Sequence, residues 1–218
     1  MDKKEYNVKM LEQLQNPLHY KKLDSDPSTD NVVVIQQWTI KWLAKGQISK
    51  DVADGVINRN AKAGKAFGTV KTHKEQNPLR LITSCRGTSI ENLSAFTEFY
   101  LKPKAQNLPS SVKDTTHLLQ KIEEINKGGP FPDGTLLVSW DVVSMFPNID
   151  NNLGASAVTR AINSRVQQCL STECIVEAVE ICLKHNSSQF SNQNFLQIHV
   201  NAMGPKNACS YADLAMGV

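Results

Sequence analysis

Three short stretches hold residue types able to do chemistry. The first is LLVSWDVVSMF, residues 136–146, which sets Asp141 inside an otherwise apolar run. A carboxylate there is costly unless it is paired, bonded to backbone donors or bound to a metal. Two readings stand for Asp141: a metal ligand, or a carboxylate at a strand end that satisfies turn and helix-cap donors. Phe146, five residues on, reads by itself as a core aromatic. The second stretch is KTHK, residues 71–74, followed by PLRLITSCRG with Arg80 and Arg86. A hairpin there would hold Lys74 in its turn and Arg80 on its returning strand. Two cations on rigid backbone suit a polyphosphate, because a guanidinium grips phosphate oxygens in pairs. The same pattern describes a solvated edge hairpin blunted by charge. The third stretch is FLQIHVNAMGPKNA, residues 195–208. Gln197 follows an apolar strand, and Gly204-Pro205 opens a helix. A glycine turn lets backbone approach a ligand closely, or simply joins a strand to a helix.

The elements that position these residues are read from hydrophobic period and turn chemistry. Tyr6, Met10, Leu11 and Leu14 predict a helix over 2–20. DSDPSTD at 24–30 is a loop. A second helix spans 31–46, ending at Gly46, and a short third one falls within 48–57. Strands are expected at 66–70 and 79–84, joined by 74–78. A helix over 89–100 is expected to stop before Pro103. Asp114 caps a helix carrying Leu118, Leu119, Ile122 and Ile125, closed by Gly128-Gly129. The run 135–143 reads as the most apolar strand of the chain, hence a central one. Asp150 reads as the cap of a helix opening at Asn152, and Ser171 opens another. A hairpin is expected over 190–198 and a last helix over 203–216. Helices and strands in this order predict an α+β fold.

Composition bounds the function classes. The chain has 218 residues, 40% hydrophobic and 21% charged, enough to bury a core and unlike a disordered or collagen-like chain. No apolar run approaches the ~18 residues that span a bilayer. The opening MDKKEYNVKM lacks the apolar segment of a secretory signal, so an intracellular protein, nuclear or cytoplasmic, is expected. Five cysteines, an odd number, fit a reduced compartment. Cys174, Cys182 and His185 fall in a helical apolar pattern rather than at tight zinc-site spacing. Net charge is only +3, but it is unevenly spread. Residues 1–104 carry 17 Lys/Arg against 11 Asp/Glu, and residues 105–218 carry 7 against 10. A basic half beside a mildly acidic one suggests a polyanion-binding lobe, or a solvated basic face.

In combination and order, these stretches resemble the reverse transcriptase domains of retroelements, especially the Penelope-like group, over nearly the whole chain. DKKEYNVKMLEQL with the later LDSDP looks like that group's N-terminal extension. GTVKTHK and NPLRLITS look like the fingers motif, LLVSWDVVSMFPNI like palm motif A, and FLQIHVNAMGPKNACSYADLAM like motif B. The resemblance implies a right-hand polymerase fold: a helical N-terminal extension (1–58), a fingers-like region with a basic hairpin (59–134) and a partial palm (135–218). It makes Lys74 and Arg80 triphosphate-binding residues, with Lys71 and Arg86 as further phosphate or template contacts. Asp141 becomes a catalytic metal ligand, and Phe146 the gate that screens the sugar 2′ position. Gln197 and the Gly204 turn would lie against the template–nucleotide pair.

The implied activity is RNA-directed DNA synthesis by phosphoryl transfer with two Mg²⁺ (or Mn²⁺) ions. The implied partners are an RNA or DNA template with its primer, and deoxynucleoside triphosphates; no membrane is expected. Two departures from the pattern matter. Val200 stands where motif B usually has glycine. Motif C, with its two adjacent Asp, is missing: Tyr211-Ala212-Asp213-Leu214 has one Asp and a helical pattern. The chain is therefore expected to be a fragment that binds without catalysing alone. Two alternatives are a non-enzymatic nucleic-acid-binding protein derived from a retroelement and a decayed product without a stable fold.

Overall fold

Side-chain caps start several of the helices. In the computed structural model, which describes residues 1–142, 145–164, 170–198 and 202–217, the Asp2 carboxylate accepts from the Glu5 N–H at 2.8 Å and opens α1, Lys3–Leu14. Ser49 opens α3, Lys50–Val56, in the same way, after β1, Tyr20–Leu23, and α2, Ser28–Ala44. Strands β2, Gly64–Val70, and β3, Leu79–Ser84, precede α4, Glu91–Gln106. Asp114 caps α5, Thr115–Asn126, through the His117 N–H. A single turn, α6, covers Met145–Asn148. Asp150 accepts from the N–H groups of Asn152 and Leu153 at 2.9 and 3.0 Å and opens α7, Asn151–Asn163. Ser171 caps α8, Thr172–Lys184. Strands β4, Ser187–Phe190, and β5, Gln193–Gln197, turn through Ser191 and Asn192, both at positive φ, as a two-residue hairpin requires. Helix α9 spans Ala208–Met216. The fold is α+β, as the sequence predicts.

The five strands form one sheet in the order β1-β5-β4-β2-β3. All neighbours are antiparallel except β2 and β4, which pair in parallel at Gly64–Ser188 and Lys65–Gln189. Among the described residues, two hydrophobic clusters form the core. The larger gathers Trp38, Leu93, Leu101, Val158, Ile175 and Tyr211 from α2, α4, α7, α8 and α9. The smaller joins Met10 and Leu14 of α1 to Ala66, Leu79 and Phe195 of the sheet. Met10 and Leu14 are wholly buried, each contributing ~1.5–3 kcal/mol.

Three sequence expectations change. Residues 135–142 form no strand: Leu136, Leu137 and Trp140 are 82, 103 and 89% exposed. An apolar run becomes a strand only where a neighbour takes up its N–H and C=O groups. No described strand pairs with this one. Its last expected residue, Val143, lies outside the described residues, as do Cys169, Val200 and Val218. Second, α4 does not stop before Pro103 but runs through it. The burial of Leu101 and Ala105 on either side offsets the ~3 kcal/mol penalty of an interior proline. Third, α1 ends at Leu14, short of the expected 2–20, and Tyr20 opens β1, a strand the sequence does not predict. It exists through its pairing with β5, Tyr20 opposite Gln197.

Candidate active cleft

The basic hairpin comes first. Its strands pair in full register from Lys65–Ser84 to Val70–Leu79. The connection is tight. The Lys71 N–H donates to the Pro78 carbonyl at 2.9 Å, and the Lys74 N–H to the Lys71 carbonyl at 3.1 Å. Gln76 and Asn77 take positive φ, 61° and 46°, which lets the chain reverse. Lys74 and Arg80 are exposed and Lys71 half-buried. None of the three makes an ion pair among the described residues.

Beside the hairpin lies a cleft of about 790 Å³. It is lined by Lys71, His73, Lys74 and Arg80 from the hairpin, and by Asp141, Met145 and Phe146 from the segment before α7. Gln197 at the end of β5, and Met203, also line it. Five of the residues singled out in the sequence, with Lys71 as a sixth, therefore share one cavity, although they come from three separated stretches. Gly204 is next to the lining residue Met203. Its neighbourhood explains the residue type: the Thr83 N–H donates to the Met203 carbonyl at 2.9 Å, and a Cβ on Gly204 would overlap the Thr83 carbonyl oxygen. The glycine lets 203–204 lie directly along β3. Arg86 stands apart. It is exposed on the turn after β3 and does not line the cleft.

Three cations against one carboxylate make the lining positive, a field that draws polyanions. Asp141 is exposed, and it is the one carboxylate among the described lining residues. Mg²⁺ is commonly held by one or two carboxylates together with substrate phosphates. The donor set thus fits one divalent ion shared between Asp141 and a phosphate. Among the described residues the lining offers no carboxylate for a second ion, and no group of three potential metal ligands occurs. Asp213, whose pattern imitates motif C, lies on α9 and outside the lining.

A further wall was invisible in the sequence. Gln13, Asn16, His19 and Tyr20, from the end of α1 to the start of β1, line the same cleft. Burial pushes the Tyr20 phenol up to about 12, so it stays a neutral hydroxyl at physiological pH. The Nδ1 of His19 is buried without a hydrogen-bond partner among the described residues. The pairing of β1 with β5 and the Gln13 bond to the Leu79 carbonyl bring these residues to the cleft, and no local pattern announces contacts so distant in sequence.

Comparison with protein-family models, curated proteins and solved structures returned no match. Among the described residues, no helix is long and apolar enough to cross a membrane.

Proposed function

We propose that this chain is the nucleotide- and template-binding part of an RNA-directed DNA polymerase of the reverse transcriptase type, acting inside the cell. The fold would be the fingers and part of the palm of a right-hand polymerase. One observation carries the reading: Lys74, Arg80, Asp141, Phe146 and Gln197 line a single cleft. Lys74 and Arg80, with Lys71, neutralise the triphosphate. Asp141 would hold a divalent ion, which would supply charge stabilisation for the leaving pyrophosphate. Phe146, half-buried in the cleft lining, screens the sugar. Gln197, whose backbone is fixed by pairing with β1, and the Gly204 turn support the base pair with the template strand. Arg86, on the turn beyond β3, is assigned a template contact outside the cleft.

The test uses deoxynucleoside triphosphate binding by calorimetry at fixed salt. A charge-assisted hydrogen bond is worth about 1.5–3 kcal/mol. Arg80→Ala and Lys74→Ala should each weaken binding roughly tenfold or more. Asp141→Asn should remove the Mg²⁺-dependent part and leave the metal-free part. Binding indifferent to both cation variants overturns the assignment. With one carboxylate in the described lining, the 218-residue chain should not extend a primer alone; extension would contradict that count. The same count supports a second reading, a nucleic-acid-binding protein without catalysis. In that case single-stranded RNA binds with a steep salt dependence and excess triphosphate does not displace it.

A further inference from the structure

Helix α1 touches the basic hairpin at points far apart in sequence. The Gly68 N–H of β2 donates to the Tyr6 hydroxyl oxygen at 2.7 Å. Lys9 Nζ donates to the Gln76 carbonyl at the hairpin tip at 2.6 Å, while also pairing with Glu5 at 2.8 Å. Gln13 Nε2 donates to the Leu79 carbonyl at 3.2 Å, next to Arg80. Between these bonds Met10 is fully buried, and a Cβ on Gly68 would press against its sulfur and Leu79. The contacts run from the middle of the hairpin to its tip. They follow the segment that carries Lys71, Lys74 and Arg80.

A two-stranded hairpin alone is marginal in water, and a long cationic tip repels itself. This hairpin meets the rest of the sheet through a two-residue parallel pairing near its base. Its far end has α1 as its support.

We propose that α1 is a positioning element for the anion site, with Tyr6, Lys9 and Gln13 holding the hairpin so that its three cations converge on the cleft. The proposal rests on the reading of the cleft as a triphosphate site. Tyr6 does not line the cleft; it acts through Gly68. Lys9 acts through the backbone of Gln76, and Gln13 both carries Leu79 and lines the cleft. The N-terminal segment is then part of the binding machinery rather than an appendage to it.

Two measurements on the full chain test this. The first needs no ligand: amide hydrogen exchange in wild type and Tyr6→Phe, which keeps the ring and its contact with Phe190. Exchange over 64–84 should accelerate while α8 stays unchanged; an unaltered hairpin overturns the proposal. The second is a double-mutant cycle with tripolyphosphate as probe. Tyr6→Phe should weaken binding roughly fivefold, the worth of one such hydrogen bond. In the Arg80→Ala background the loss should shrink, because part of the brace's effect passes through Arg80 and only Lys71 and Lys74 remain to be positioned. Fully additive losses would mean a general structural effect and overturn the proposal. A wild type that binds no tripolyphosphate, with the exchange result intact, overturns the site reading instead.

Discussion

Helices α5 and α8 carry the same local instructions and meet different fates. Each is opened by a side-chain cap, Asp114 or Ser171, and each has one apolar face. In α8 that face is buried: Cys174, Ile175, Ala178 and Val179 are at most 1% exposed. In α5, Leu118, Leu119, Ile122 and Ile125 are 44 to 60% exposed, and no residue of the helix is buried. The difference lies in the neighbours. Helix α8 packs among α2, α4 and α7, whereas α5 precedes the exposed run 135–142. Capping and amphipathicity create a helix; only a facing surface makes it part of a core.

The comparison breaks first at matched truncations. Ile175→Ala should cost ~2–5 kcal/mol, the range for a buried isoleucine. Ile122→Ala on α5 should stay within ~0.5 kcal/mol. Urea unfolding of both variants decides; equal losses would mean that α5 is packed in solution. Smaller effects come from the caps. Ser171→Ala should lower global stability by about 1 kcal/mol. Asp114→Ala should instead fray α5 locally, seen as lost far-ultraviolet helicity with an unchanged urea midpoint. A shift of both midpoints alike would erase the distinction.

The smallest effect concerns pH at the end of α8. Burial, and then the neighbouring Lys184 ammonium, pull His185 below its ordinary value. Its Nδ1 lies 2.9 Å from Asn31 Oδ1 on α2. The folded chain favours the neutral ring, so as pH falls the unfolded chain takes up the proton first. The stabilisation is complete above the unfolded value near 6.5 and is lost as pH falls from there through the folded value. Urea midpoints between pH 7.5 and 5 should fall less in His185→Gln than in wild type. Parallel slopes would remove His185 as the cause.

Local signals were legible where local physics decides. Asp150 and Ser171 announce their helices because a carboxylate or hydroxyl before an apolar period has backbone donors to satisfy. Strand β3 was legible to the residue, since LRLITS has period-two patterning between Pro78 and the Cys85 turn. What depends on partners was not. The run 135–142 has the composition of a central strand and no described neighbour to make it one. YKKL at β1 has nothing strand-like except its pairing with β5. The site divides the same way. Its cations, Asp141, Phe146 and Gln197 stand in recognisable stretches, while Gln13, Asn16, His19 and Tyr20 reach the cleft only through the sheet.

The short parallel contact between β2 and β4 carries a kinetic consequence. The two hairpins it joins, β2–β3 and β4–β5, each close over a few residues and can form in ~1–10 μs. Gly64 and Ser188, which bring the hairpins together, are more than a hundred residues apart in the chain. That pairing must wait for a long loop to close and for the helices between to condense, and such non-local steps slow folding. Arg80 rides on one hairpin and Gln197 on the other. The cleft therefore has no early form: its two sides exist separately in the folding chain and meet only when the sheet is complete.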